Sequence, residues 1–181
     1  MIGFKLEFNG FLGGTMLERI LKLRDGGAVR RFHTLRTNRV QSVAEHSHGV
    51  AMLVLAVYPE AECSLLRAAL YHDLPEVLTG DIPATSKWLS PALAREENLL
   101  AGIFREHHGL ELDLTPFEKD VLKWCDMMEL VLWTMEECTL GNDYAGEVTQ
   151  RGLDFLVARQ PPTTEAKLLL DEIVAEWKAN Q

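Results

Sequence analysis

Tyr71-His72-Asp73-Leu74-Pro75-Glu76-Val77-Leu78-Thr79-Gly80-Asp81 is the stretch from which the rest of the chain is best read. Leu65, Leu66, Ala68, Ala69 and Leu70 lead into it, so a histidine–aspartate pair ends a segment that favours burial. A neutral imidazole and a carboxylate are common partners for divalent metals. Neighbours on a helix point about 100° apart, so both reach one ion only if it sits off the helix shoulder. The plainer alternative is a helix ending in a capped turn, with His72 an ordinary core histidine. Pro75 lacks an N–H and its ring clashes with the preceding turn, so the helix should end or kink there. Glu76 then begins a short separate turn leading to Thr79-Gly80-Asp81-Ile82-Pro83.

Working outward, every periodic segment is helical. Ser42-Val43-Ala44-Glu45 is a capping box opening a helix to about Tyr58, closed by Pro59. His46 falls in its first turn, and Val50, Leu53, Val54 and Val57 continue the apolar face. A helix from about Glu62 to Leu74 delivers His72 and Asp73. Ser90-Pro91 opens another to about His108, with Gly109 as its stop. Thr115-Pro116-Phe117-Glu118 adds a first-position proline to a capping box and starts a helix to about Leu140, which Gly141-Asn142 ends. Val121, Leu122, Cys125, Met128, Leu132 and Met135 lie on or near its buried side. Further helices cover about Tyr144 to Val157 and, after Pro161-Pro162, Thr163 or Thr164 to about Lys178. At the front, residues 1–14 read as irregular around Gly10, Gly13 and Gly14. Thr15 then caps a helix to about Arg24, with a stripe of Leu17, Ile20, Leu21 and Leu23 that Asp25-Gly26-Gly27 stops. Strand-period alternation, repeats and low-complexity tracts are absent. The expectation is all-α, a compact multi-helix bundle forming one domain over residues 1–181.

Composition narrows the function classes. A chain of 181 residues, 47% apolar and 25% charged, fits one soluble globular unit. No apolar run approaches the roughly 18 residues that span a bilayer. Glu7 and Asn9 interrupt what would otherwise resemble a signal peptide. Cys63, Cys125 and Cys138 form no CxxC pair, which points to a reducing cytoplasm. A net charge of −9 argues against a nucleic-acid polymer as partner. Yet Arg19, Lys22, Arg24, Arg30, Arg31, Arg36 and Arg39 crowd one span with His33, as a site for a small anionic ligand or as a solvated basic face. Exposed apolar residues such as Trp133, Leu156 and Trp177 could pair the chain into a homo-oligomer.

Four polar residues fall at interior-looking positions on three separate helices: His46, His72 with Asp73, and Asp126. Asp126 stands among Trp124, Cys125, Met127, Met128, Leu130 and Val131, and an unpartnered buried carboxylate is expensive. It could pair with an arginine. Alternatively, one divalent ion (Co, Mn, Zn, Mg, Ni or Fe) would satisfy all four residues at once, with water in any open position. His107 and His108, beside Gly109 at a helix end, are better placed to favour the helix dipole than to bind metal. His48, two residues from His46, should face away from it.

Ala44-Glu45-His46-Ser47, the Tyr71–Asp81 string with Ile82-Pro83, and Lys123-Trp124-Cys125-Asp126 together resemble the HD-domain phosphohydrolases. The likeness is to the small bacterial 5′-deoxynucleotidase type and the related phage enzymes that hydrolyse dATP to deoxyadenosine and triphosphate. It runs from about Arg30 to Asp126. The resemblance implies that His46, His72, Asp73 and Asp126 hold the metal, and that Glu76 positions or deprotonates the attacking water. It implies that Arg31 orients the phosphate, that Phe32 packs on the deoxyribose or base, and that Thr79 and Asp81-Ile82-Pro83-Ala84 line the nucleoside pocket. Phe32 stands where a tryptophan is usual and Ala84 where a hydroxyl residue is expected, both on the sugar and base side.

The chemistry suits those roles. A phosphate's negative oxygens repel a nucleophile, a divalent ion neutralises them, and an arginine offers a planar fork that a lysine cannot match. Lys87 and Lys123 are further candidates for phosphate contact, and Asp81 could accept from a sugar 3′-hydroxyl. The expected function is hydrolysis of the 5′ phosphate of a deoxynucleotide substrate, with triphosphate release as the alternative. A non-catalytic nucleotide-binding module and a helical nucleic-acid binder stand behind both.

Overall fold

The computed structural model describes residues 15–110 and 113–180, and the expected irregularity of residues 1–14 lies outside them. Within that range the chain forms α1 (Met16–Gly27), α2 (Val43–Val57), α3 (Cys63–Tyr71), a 3-10 segment (Leu74–Leu78) and α4 (Ala84–Leu89). It continues with α5 (Pro91–His108), α6 (Pro116–Thr139), α7 (Asp143–Val157) and α8 (Thr164–Ala179). No strand occurs among the described residues; Arg30 and Ser42 form an isolated bridge that pins the ends of the loop before α2. The fold is all-α.

The local rules hold where the starts are concerned. Thr15, Ser42 and Thr115 each make a complete capping box, satisfying otherwise orphaned N–H groups at the first turns of α1, α2 and α6. Ser90 and Thr163 accept from the third helical N–H of α5 and α8. Gly109 and Gly141 adopt left-handed φ values of 60° and 84°, which end α5 and α6 without a steric penalty.

Three helix boundaries differ from expectation. Asp25-Gly26-Gly27 does not stop α1, which runs through it. A Cβ at Gly26 would lie 2.7 Å from the Leu74 carbonyl oxygen, so glycine is there to admit the 3-10 segment rather than to end a helix. Second, α3 stops at Tyr71, and His72 and Asp73 occupy the break before the 3-10 segment, because Pro75 takes its early position. Third, Ala84–Leu89 forms a short helix that carried no periodic signal.

α6 is the axis of the molecule, packing against α2, α3 and α7. Val50, Leu65, Met128, Val131 and Leu156 are fully enclosed in the core around it, each worth about 1.5–3 kcal/mol relative to exposure. A smaller cluster of Val43, Leu74, Phe104 and Leu110, with Leu23 packed on it, seats the 3-10 segment between α1 and α5. The suggested oligomer face does not exist as such. Leu156 has no exposure, Trp133 is buried, and Trp177 packs on the core. Leu17, Ile20 and Leu21 of α1 are exposed instead, and only Leu23 of that stripe packs inward. No helix among the described residues is long and apolar enough to cross a membrane.

Candidate metal centre and active site

The break between α3 and the 3-10 segment faces the first turn of α2 and the middle of α6. There His46 Nε2 lies 3.3 Å from His72 Nε2, 3.3 Å from Asp126 Oδ1 and 3.5 Å from Asp73 Oδ2. His72 Nε2 is 3.4 Å from Asp73 Oδ2. His46, His72 and Asp126 each offer a donor atom within 4.8 Å of the others, a group able to hold a metal ion. The hydrogen bonds on the far sides of the rings suit that use. His72 Nδ1 meets the Ala69 carbonyl at 2.9 Å, and His46 Nδ1 meets Glu129 Oε2, so in both rings Nε2 faces the cluster.

Electrostatics point the same way. Burial disfavours a charged His46, but its bonds to Asp126 and Glu129 prevail and raise it to about 9. Burial likewise pushes Asp126 up, yet the His46 bond and the Lys123 charge hold it well below the ordinary carboxylate range. The centre of the cluster thus favours positive charge strongly enough to keep a proton, and a divalent cation answers the same demand with more charge.

Asp73 is shared. Its Oδ2 also accepts from Arg31 Nη1 at 2.7 Å, and Arg31 Nε donates to Gln41 Oε1 at 3.2 Å. Arg31 therefore turns into the cluster, but the basic span around it does not form one patch. Arg39 pairs with Glu136 and Glu137, Arg19 binds the His108 carbonyl, and Arg36 lies over Tyr144. Crowding in sequence is spread over three dimensions because the loop from 28 to 42 winds past α6.

Glu76 has a buried Oε2 with no hydrogen-bond partner. Burial first, then the charges of Asp73 and Asp81, push its carboxyl up to about 8. Asp81 Oδ2 accepts the Phe32 N–H at 3.0 Å, so it ties the turn to the loop instead of standing free. Phe32 has φ 54°, and its ring stacks on Trp133 at 4.6 Å with the planes 5° apart. Where a tryptophan was expected at 32, one lies beneath it from α6. Thr79 is exposed, its hydroxyl donating to the Gly80 carbonyl at 2.9 Å; Ile82 and Pro83 are half-buried and Ala84 is exposed. Lys123 Nζ holds Asp126 Oδ2 at 2.8 Å, whereas Lys87 pairs with Glu97 at 3.0 Å. His48 is exposed, and His108 is buried against Phe104.

Sequence reading took Trp133 for surface and did not single out Glu129, Gln41 or Arg105, whose Nη2 donates to the His72 carbonyl at 3.0 Å. Glu129 carried a usable signal: it follows Asp126 by three, on the same stripe, in the otherwise apolar middle of the helix.

Likeness to known proteins agrees with this geometry. The family described as 5′-deoxynucleotidase YfbR-like matches residues 20–177. The chain belongs to that family. Among relatives of this YfbR-like chain, a 5′-deoxynucleotidase of Cronobacter sakazakii is 29% identical over 147 residues, covering 64% of this chain and 70% of the relative. A dATP triphosphohydrolase of Salmonella phage PMBT28 is 31% identical over 166 residues, covering 83% and 81%. The cyanophage S-2L HD phosphohydrolase, solved with dA and one catalytic Zn2+ ion, superposes with a TM-score of 0.62 at 24% identity, over 88% of this chain and 94% of that one. The fold is that of the HD-domain phosphohydrolases.

Proposed function

We propose that this YfbR-like chain is a metal-dependent 5′-deoxynucleotidase, cleaving a deoxynucleoside monophosphate to nucleoside and inorganic phosphate. One divalent ion would be held by His46, His72, Asp73 and Asp126. The observation that carries the reading is the convergence of these side chains from three distant segments, with the unpartnered Glu76 carboxyl close in sequence to the His72–Asp73 pair. The curated 5′-deoxynucleotidase relatives support the substrate class.

When bound, the ion neutralises phosphate charge and lowers the pKa of water at phosphorus. The chain's own residues supply the rest. Arg31, braced by Asp73 and Gln41, presents its fork to the non-bridging phosphate oxygens. Glu76 accepts the proton of the attacking water as the new phosphorus–oxygen bond forms. The bond from phosphorus to the 5′ oxygen breaks, and the nucleoside leaves with a hydroxyl that takes up the proton Glu76 had accepted. Phe32, backed by Trp133, gives the sugar and base a flat apolar face. Thr79, Ile82, Pro83 and Ala84 border that side, and Lys123 stands beside Asp126 where it can turn to phosphate. Lys87 would have to leave Glu97 to join them.

A second reading, release of triphosphate from dATP, is favoured by the phage relative, which matches this chain over 83% of its length. Incubation with dAMP, the other deoxynucleoside monophosphates and dATP, each with added Co2+ or Mn2+, separates the two. Inorganic phosphate from monophosphates is expected; triphosphate from dATP alone would transfer the assignment to the second reading, and no product from any deoxynucleotide would defeat both.

A further inference from the structure

The two cluster histidines are braced by unlike acceptors. His72 Nδ1 rests on a neutral carbonyl, whereas His46 Nδ1 meets the Glu129 carboxylate. Glu129 uses its second oxygen as well, with Oε1 accepting from Gln41 Nε2 at 2.8 Å. Gln41 Oε1 in turn accepts from Arg31 Nε at 3.2 Å, and Arg31 Nη1 donates to Asp73. His46, Gln41 and Glu129 are 0%, 2% and 8% exposed, so little water competes for these bonds. Glu129 lies at the ring nitrogen opposite the cluster, which makes it a brace and not a ligand.

We propose that Glu129 is a positioning residue that fixes His46 for the ion and, through Gln41, holds Arg31 in the same network. The inference rests on the metal-dependent reading above. Donor directions leave little freedom in the residue types. An imidazole N–H and an amide N–H both point at position 129, and only a carboxylate accepts at both its oxygens. At position 41 the group must donate to a carboxylate and accept from a guanidinium, which a glutamine does and a glutamate, repelled by Glu129, does not.

Space is reserved for the brace. Gly49 lies one turn after His46 on α2, and a Cβ there would come within 2.8 Å of Glu129 Cγ and 3.1 Å of its Oε1. Alanine is the better helix former at such a position, so the glycine runs against local propensity. Its effect is to let α6 bring the carboxylate up to His46.

Competition of full-length protein with a chromophoric chelator for Zn2+ or Mn2+ tests the proposal, using wild type, Glu129→Gln, Gly49→Ala and His46→Ala. His46→Ala should lose the one-to-one site. Glu129→Gln, which keeps one acceptor and loses the charge, should bind the ion about 10–100-fold more weakly, as for other partners of metal-bound histidines. Gly49→Ala should weaken binding too, because its methyl displaces the Glu129 carboxylate, while a single cooperative unfolding transition is kept. Gln41→Leu should raise KM for dAMP by more than it lowers kcat. Wild-type metal affinity in both Glu129→Gln and Gly49→Ala, with binding lost in His46→Ala, would overturn the inference while leaving the metal site intact. Retention of the ion by His46→Ala would instead bring down the reading on which it rests. If Glu129→Gln does not fold, Gly49→Ala decides alone, because it removes no polar group from the network.

Discussion

Helix α6 meets α7 on one flank and α2 on another, and the two seams use the same space-saving device for different ends. Against α7, a Cβ at Gly152 would lie 2.6 Å from Val131 Cγ2, with Leu130 and Met127 alongside. Midway along that seam the polar groups are hydroxyls: Thr149 donates to Thr134 at 2.9 Å, and Thr134 donates to the Leu130 carbonyl at 2.9 Å. Against α2, the glycine is Gly49 and what approaches it is the Glu129 carboxylate. His46, Glu129 and Asp126, joined by the neutral Gln41 amide, then place polar and ionisable groups where an apolar seam would have been simpler. Buried charges contribute little net stability, because desolvation offsets their attraction. Both seams contribute apolar packing, the α2 seam through Val50, Val54 and Val57, and the α2 seam alone adds the His46–Glu129 pair to it.

The contrast can be broken most directly at Glu76, whose buried Oε2 has no hydrogen-bond partner to lose. Glu76→Gln should lower kcat on the preferred deoxynucleotide by about 10²–10⁴-fold with the thermal midpoint held or raised. Activity within a few fold of wild type would remove Glu76 from the mechanism.

A pH series on metal-stripped protein sharpens the same point. Glu76 is raised from its ordinary 4.5 to about 8 in the fold. The folded state keeps a proton that the unfolded chain releases between those values, so this group costs stability as pH rises through that window. The stability of Glu76→Gln relative to wild type should therefore grow from acid to alkaline pH in urea titrations. A gap that stays constant would show that Glu76 titrates normally.

The smaller effect belongs to the apolar seam. Gly152→Ala inserts a methyl against Val131 and should cost about 1–3 kcal/mol in denaturant titration, despite alanine's helix propensity. Metal stoichiometry should not change. If Gly152→Ala released the ion, the two flanks of α6 would not be separable.

What could be foreseen follows the range of the physics involved. The starts of α1, α2, α5, α6 and α8 were legible because Thr15, Ser42, Ser90, Thr115 and Thr163 act within three residues of themselves. The positions of His46, His72, Asp73 and Asp126 could be suspected because polar residues interrupt apolar faces. Glu129 was lost because its reason for being buried, His46, stands 83 residues earlier. Gly26 was misread as a stop because the carbonyl it makes room for belongs to Leu74. Trp133 looked like surface because its covering ring, Phe32, comes from a loop without periodicity.

Phe32 carries one more lesson. A φ of 54° is uphill for a bulky side chain by about 1–2 kcal/mol, and a glycine would relax there at no steric expense. Asp81 clasps the Phe32 amide and Trp133 supports the ring, so the loop and the turn after the 3-10 segment are latched as one piece. A nucleoside that drew Asp81 toward its own hydroxyl would loosen that latch, making the grip on the sugar and the posture of the aromatic floor a single adjustable joint.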